Sequence, residues 1–341
     1  MTKKQRSLLF SVILLIVTVY TFIPKKKDPV LTHFTGQTMG TIQYNVKVVD
    51  ERTHSLQSSI DSLLVSFNNA LSTYIPTSEI STFNQTDETS PSTLLLEVFQ
   101  ASQIISAKTN GAFDPTVGPL INRWGFGPDK KINVPDSTTI DSLRHLVGLS
   151  KVQFQNGRLT KAPGVYVDFS AIAKGQGVDV LGKWLESKGI KNYMIEIGGE
   201  VRCRGNNEEG KPWAIGIEDP TVDKSEQRLF AIATMQNRSL ATSGNYRNYY
   251  QQDGVTYAHI VDPRTGYTAN HNLLSASVFA PDCMTADAYA TAFMVLGLEE
   301  SKALVENTQE LDAVFIYAQD NALKVYVTPG MKEAIEIVGE L

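Results

Sequence analysis

The stretch Asp282–Gly297, "DCMTADAYATAFMVLG", sets the tightest limit on how this chain can fold. Ala, Phe, Met, Val and Leu dominate it, yet it carries Asp287, with Thr291 four places on. In a helix those two positions share a face, so two oxygen-bearing side chains point the same way. An unpaired carboxylate in an apolar setting is costly, and something must answer it. One account is local: Thr285 caps the helix and Asp287 sits in its first turn, favoured there by the helix dipole. The other is functional. The Ala-rich surface allows close approach, and two hard oxygen donors suit Mg²⁺ or Ca²⁺. The segment alone leaves both open.

The first 27 residues differ from the rest. Lys3, Lys4 and Arg6 lead into an uncharged, mostly apolar run from Ser7 to Ile23, closed by Pro24 and three lysines. That pattern reads as a membrane-targeting signal. No small-x-small cleavage site follows it, so an uncleaved anchor over 1–27 is expected, with residues 28–341 exported as one domain. With 31 Lys+Arg against 36 Asp+Glu, the net charge of −5 gives no basic surplus to neutralise a phosphate backbone, which disfavours nucleic acid as a partner. Cys203 and Cys283 are the only cysteines, and their spacing fits no zinc or redox motif. Sequence leaves a disulfide and two buried thiols equally open.

Beyond the anchor, 28–37 reads as a short polar tether. Faultless alternation over Thr41–Val48 predicts a half-buried strand. Leu56, Ile60, Leu63, Leu64, Phe67 and Leu71 recur at helical spacing. A second helix is predicted from Ser90 as N-cap and Pro91 in the first turn to about Gly111. Residues 111–128 are too punctuated by Gly and Pro for a long element and too apolar for an idle linker. Asn156-Gly157 marks a hairpin. The run from Val165 reads as a strand, a tight turn and a helix ended by Gly189. Strands are expected at 193–197, 201–204, 213–218, 229–235, 258–261 and 273–279, helices near 285–296 and 299–307, and a hairpin over 312–327. No repeat or linker divides the chain after residue 40, so the fold class is a single mixed α/β body with largely antiparallel pairings.

Two more stretches carry chemistry-bearing side chains. In "VDFSAIAKGQG", Asp168 ends an apolar run and Ser-Ala-x-Ala-Lys-Gly opens a helix, gathering amides, carbonyls and Lys174 at a corner of the kind where anions bind. It lacks the spacing of a Walker loop. Taken singly, Asp168 is equally a helix cap and Lys174 a solvated charge. In "AHIVDPRTGY", His259, one of five histidines, lies where an apolar strand meets an Asp-Pro-x-Thr-Gly turn. It is a candidate general base or else a satisfied core histidine. The other four histidines show no ligand spacing, which argues against zinc. "GQTMGT", "GAFDP", "EIGGE" and "ATSGNYRNY" are each most simply turns, although many tight backbone approaches suit a chain that wraps a nucleotide.

Read in order, "GQTMGT", "YIPTSEISTFN", "GAFDPTVGPL", "VDFSAIAKGQGVD", "IGGEVRCRG", "TSGNYRNY", "HIVDPRTG" and "MTADAYATAFMVLG" resemble the ApbE family, the FAD:protein FMN transferases, from about Thr35 to about Lys324. The resemblance implies a T-fold-like mixed α/β enzyme that binds FAD in a cleft. Such an enzyme moves FMN onto a threonine hydroxyl of a partner protein as a phosphoester and releases AMP. It further implies FAD contacts at Met39, Ala112, Phe113, Asp114, Asp168, Lys174 and Ile260. A Mg²⁺ site would use the side chains of Asp287 and Thr291 with the backbone carbonyl of Ala171. His259 is then the expected base for the acceptor hydroxyl. Expected partners are subunits of membrane redox complexes of Nqr or Rnf type, with the catalytic domain on the periplasmic side of a bacterial inner membrane. Two features depart from many relatives. No cysteine precedes Cys203, which excludes lipid anchoring, and no acceptor motif of its own is present. An FAD pyrophosphatase that releases free FMN, or a non-enzymatic FAD carrier, would use the same cleft.

Overall fold

The computed structural model describes residues 29–51, 55–126, 134–222, 228–244, 249–252, 255–320 and 322–339, with 4, 5 and 10 near the start. Apart from Phe10, the run from Ser7 to Ile23 lies outside the described residues, and with it the expected anchor. Among the described residues no helix is long and apolar enough to cross a membrane.

An eight-stranded sheet organises the rest. Its order is Val30–Thr38, Ile42–Asp50, Tyr193–Ile197, Glu200–Arg204, Arg238–Gly244, Leu273–Ala280, Asp312–Gln319 and Ala322–Val327. Every neighbouring pair is antiparallel. The late strands show why their sequences run apolar without alternation. Ala313 and Phe315 enter the core under the helix Cys283–Leu296, while Val314 and Ile316 enter the core beneath a smaller sheet. Successive side chains point to opposite faces, and here both faces are covered. The smaller sheet pairs Trp213–Glu218, Leu229–Met235 and Ile335–Ile337. A third sheet of Glu88–Thr89, Arg158–Lys161 and Val152–Gln155 contains the Asn156-Gly157 hairpin, whose two turn residues have positive φ.

Several expectations need correction. The supposed tether is a nine-residue strand, Val30–Thr38, in full register with 42–50. It buries only Phe34 and Thr38, so it shows no apolar stripe; as an edge strand it is held by backbone pairing to one neighbour. The second helix runs Thr93–Lys108 and is capped by Ser92, not Ser90, because residues 88–89 are still in strand and the Ser92 hydroxyl accepts from Leu95 N–H. Val165–Asp168 joins no sheet. The Asn84 side chain takes the place of a strand neighbour, donating to Val167 C=O at 2.8 Å and accepting from Val167 N–H at 2.9 Å. The strand expected at 258–261 is Val255–Ala258, so His259 lies in the bend beyond it. The late helix begins at Cys283 with Asp282 as its cap, which puts Asp287 past the first turn and removes the local account of its charge. Three shorter helices, Glu79–Thr86, Gly118–Arg123 and Ser137–Arg144, are additions. Both cysteines are buried free thiols.

Candidate active site

Two helices meet at the centre, and each supplies a carboxylate to the start of the other. In the helix Ala173–Ser187, Gly175 N–H is the amide that would bond to the Ala171 carbonyl four residues back if the helix began earlier. It donates instead to Asp287 Oδ2 at 2.9 Å. In return, Asp179 accepts from Cys283 N–H at 3.0 Å and from Met284 N–H at 2.8 Å, while Asp282 takes Thr285 N–H at 2.8 Å. The first amides of the Asp287 helix are thereby all satisfied. This crossing works only because residue 175 has no side chain. A Cβ there would stand 2.2 Å from the Cys283 carbonyl oxygen. Arg202 Nη1 balances Asp179 at 2.6 Å; burial, reinforced by Asp282, still holds the Asp179 carboxyl above the usual range.

The charge at the Asp287 end is uneven. Asp287 and Glu200 are 2% and 3% exposed, and both face one ammonium. Lys174 Nζ donates to Glu200 Oε1 at 2.6 Å and stands 3.5 Å from Asp287 Oδ1. Burial raises the Glu200 carboxyl above the usual range, with Lys174 opposing and Asp287 adding to it. Burial alone would lower Lys174, but the two carboxylates outweigh it and raise its pKa. Glu200 Oε2 is buried with no hydrogen-bond partner. One turn beyond Asp287, the Thr291 hydroxyl lies 3.4 Å from Ser243 Oγ. Among the described residues no group of three His, Cys, Asp or Glu could hold a metal ion; the oxygen donors here are of mixed kind.

Loops build the other side. Met39 has φ 48°, a conformation that few side chains adopt, at the tip of the first hairpin. Its methyl lies where a Cβ on Gly177 would come within 3.0 Å, so the glycine admits it. Ala112, Phe113 and Ile260 belong to one apolar cluster, with Met39 and Ala171 packed against it. Asp114 is spent on its own loop: Oδ1 accepts from Thr116 N–H at 2.8 Å and from its hydroxyl at 2.6 Å, and Oδ2 accepts from Leu149 N–H at 2.9 Å. Burial nonetheless raises its pKa. Asp168 likewise accepts from Ser170 N–H at 2.9 Å and from the Ser170 hydroxyl at 2.5 Å. His259 sits on a separate stretch, its ring edge-on to Phe126 with centroids 6.3 Å apart.

Of the residues expected from sequence, Lys174 and Asp287 are brought together and Thr291 follows on the same helix. Asp114 and Asp168 turn into their own loops, and His259 packs against Phe126. Glu200, Asp179 and Ser243 are additions. The signal for Glu200 is a carboxylate directly after Gly198-Gly199 on an otherwise apolar strand start. For Asp179 it is a charge among Gly177, Val178, Leu181 and Gly182, on a face too apolar for solvent.

A mostly antiparallel α/β body thus carries a buried lysine between two carboxylates at a helix start, beside glycine-opened loops. The chain belongs to the ApbE family, whose model matches residues 39–315. It is 42% identical over 309 residues to the FAD:protein FMN transferase of Vibrio cholerae, covering 88% of this chain and 91% of that protein. The Escherichia coli protein of the same name is 36% identical over 325 residues, covering 90% and 92%. Among solved structures, the flavin transferase ApbE from Vibrio cholerae superposes with TM-score 0.80 at 40% identity, over 90% of this chain and 99% of that one. The apo flavinyl transferase ApbE of Pseudomonas stutzeri does so with TM-score 0.80 at 33% identity, over 90% and 97%.

Proposed function

We propose that this chain cleaves FAD at its diphosphate and transfers FMN to a threonine hydroxyl of a partner protein, releasing AMP, with Mg²⁺ as its metal. The observation that carries the reading is the buried corner where Asp287 and Glu200 share one ammonium, inside the span matched by the family. Two carboxylates and one lysine leave a deficit of positive charge, and the orphaned Glu200 Oε2 marks the same deficit. Hard oxygens from Asp287, Thr291 and the Ala171 carbonyl suit Mg²⁺ and would hold it. When bound, the ion supplies charge neutralisation at the diphosphate.

The chain's own residues do the rest. Met39, partly exposed, offers apolar surface to the flavin nucleotide, backed by the buried side chains of Ala112, Phe113 and Ile260, and Asp114 and Asp168 fix the loops that flank it. Lys174 stabilises charge developing on the phosphate oxygens, in a site where burial makes that interaction strong. His259 accepts the proton of the acceptor hydroxyl. The threonine oxygen then forms its bond to the FMN phosphorus as the bond from that phosphorus to the AMP oxygen breaks, and AMP departs with the bridging oxygen.

Incubation with FAD, Mg²⁺ and an acceptor peptide bearing the threonine should add the mass of FMN to the peptide. Free FMN and AMP without labelling would mean a pyrophosphatase; unchanged FAD would mean a carrier. His259→Ala should lower the transfer rate by about 10²- to 10⁴-fold while FAD still binds, and undiminished transfer would remove His259 from the reaction. The reading extends to the N-terminal run as a membrane anchor. The catalytic body would lie on the extracytoplasmic side and the acceptor in a redox complex of Nqr or Rnf type. Sedimentation of the full chain with membranes, lost when residues 1–27 are deleted, tests the anchor.

A further inference from the structure

Asp287 has two carboxylate oxygens, and Oδ2 is committed to Gly175 N–H at 2.9 Å. Oδ1 is the oxygen left for a cation, and it is the one the Lys174 ammonium faces at 3.5 Å. An ammonium free to close on that oxygen would occupy the same lone pairs. At 2.6 Å from Glu200 Oε1, Lys174 is instead drawn to the other carboxylate. Glu200 cannot follow it easily, because its place is set by the turn before it. Gly198 and Gly199 have φ of 61° and 104°, Gly199 N–H donates to Glu196 Oε1 at 2.7 Å, and Gly198 N–H donates to the Gln43 carbonyl at 3.1 Å.

We propose that Glu200 is a positioning residue that draws the Lys174 ammonium off Asp287 Oδ1, keeping that oxygen open to a divalent cation. The inference rests on the cation reading above. It predicts an effect that depends on Lys174. Without the Glu200 charge, the ammonium moves onto Asp287 and competes with the metal; without the ammonium, Glu200 has nothing to hold.

The test is Mn²⁺ affinity of the full chain without FAD, followed by the paramagnetic resonance signal of free Mn²⁺, with thermal unfolding run on each variant. Glu200→Gln should weaken Mn²⁺ binding about tenfold, the lower end for residues that support metal ligands. In a Lys174→Met background the same substitution should change it less than about twofold. Glu200→Asp keeps the charge one methylene back and should recover part of the loss; it carries the test alone if the glutamine variant does not fold. Equal losses with and without Lys174 would make Glu200 a ligand through Oε2 and overturn the proposal. Unchanged affinity in Glu200→Gln would overturn it too. If the unmodified chain binds no Mn²⁺, the cation reading itself falls; if it binds Mn²⁺ and Glu200→Gln is flat, only the role of Glu200 falls.

Discussion

The two sides of the site hold their side chains by different means. In the corner, Lys174 and Asp287 are fixed by helices of 15 and 14 residues that cap each other, and Glu200 by its place at the start of the strand Glu200–Arg204. The side that carries Ala112, Phe113, Asp114, His259 and Ile260 is made of turns, each closed by a carboxylate or an indole bonded to backbone. Asp262 shows the pattern: its N–H donates to the Tyr267 carbonyl at 2.8 Å and its carboxylate takes Arg264 N–H and guanidinium. The difference teaches that charge is placed where backbone cannot shift, whereas shape for a ligand is left to loops that can open locally. Substitutions on the helix side should therefore cost global stability, and those on the loop side should be felt locally.

The sharpest way to break that contrast is Asp179→Ala. It strips the acceptor from Cys283 N–H and Met284 N–H and leaves Arg202, with a side chain only 16% exposed, without its closest partner. Breaking a buried pair in this way costs about 3–5 kcal/mol, read as a lowered midpoint in urea unfolding. A loss below about 1 kcal/mol would mean that the helices are held by packing alone.

Gly175→Ala comes next. The added methyl meets backbone, not the end of a flexible side chain, so the helices must part, at about 1–3 kcal/mol. Parting them stretches the bond from the amide of residue 175 to Asp287, so that amide proton should exchange faster in the variant than in the unmodified chain. Unchanged protection would show that the crossing tolerates a larger residue and that the reciprocal cap is not under this constraint.

Much of this was legible in the sequence, and the exceptions have physical causes. Strands such as Tyr193–Ile197 and Leu229–Met235 declare themselves because β-branched and aromatic residues fill a buried ribbon. Asp287 stands out because a lone carboxylate in an apolar helix has few explanations, and Lys174 because the run before it reads as a strand turning into a helix. Glu200 does not, since "EIGGE" reads as a turn and the partner of its carboxylate is 26 residues away in sequence. Asp179 was hidden for the same reason: its two amide partners lie 104 and 105 residues on. The edge strand Val30–Thr38 was missed because pairing, not burial, holds it. Local pattern reports what a residue buries; it is silent on which distant group it meets.

The smallest expected effect sharpens the contrast from the loop side. Trp124 Nε1 donates to the Gly266 carbonyl at 2.8 Å, and its ring meets Tyr267 edge-on at 6.3 Å, so one side chain ties the short helix Gly118–Arg123 to the turn that follows His259 and Ile260. Trp124→Phe keeps most of the ring and removes the donor, at about 1 kcal/mol. The loss should be confined to that turn: faster amide exchange over Asp262–Tyr267, weaker FAD binding, and unchanged Mn²⁺ affinity at the Asp287 corner. A parallel fall in Mn²⁺ affinity would show that the turn and the crossed helices move as one body, and the division between a fixed charged corner and an adjustable ligand face would not hold.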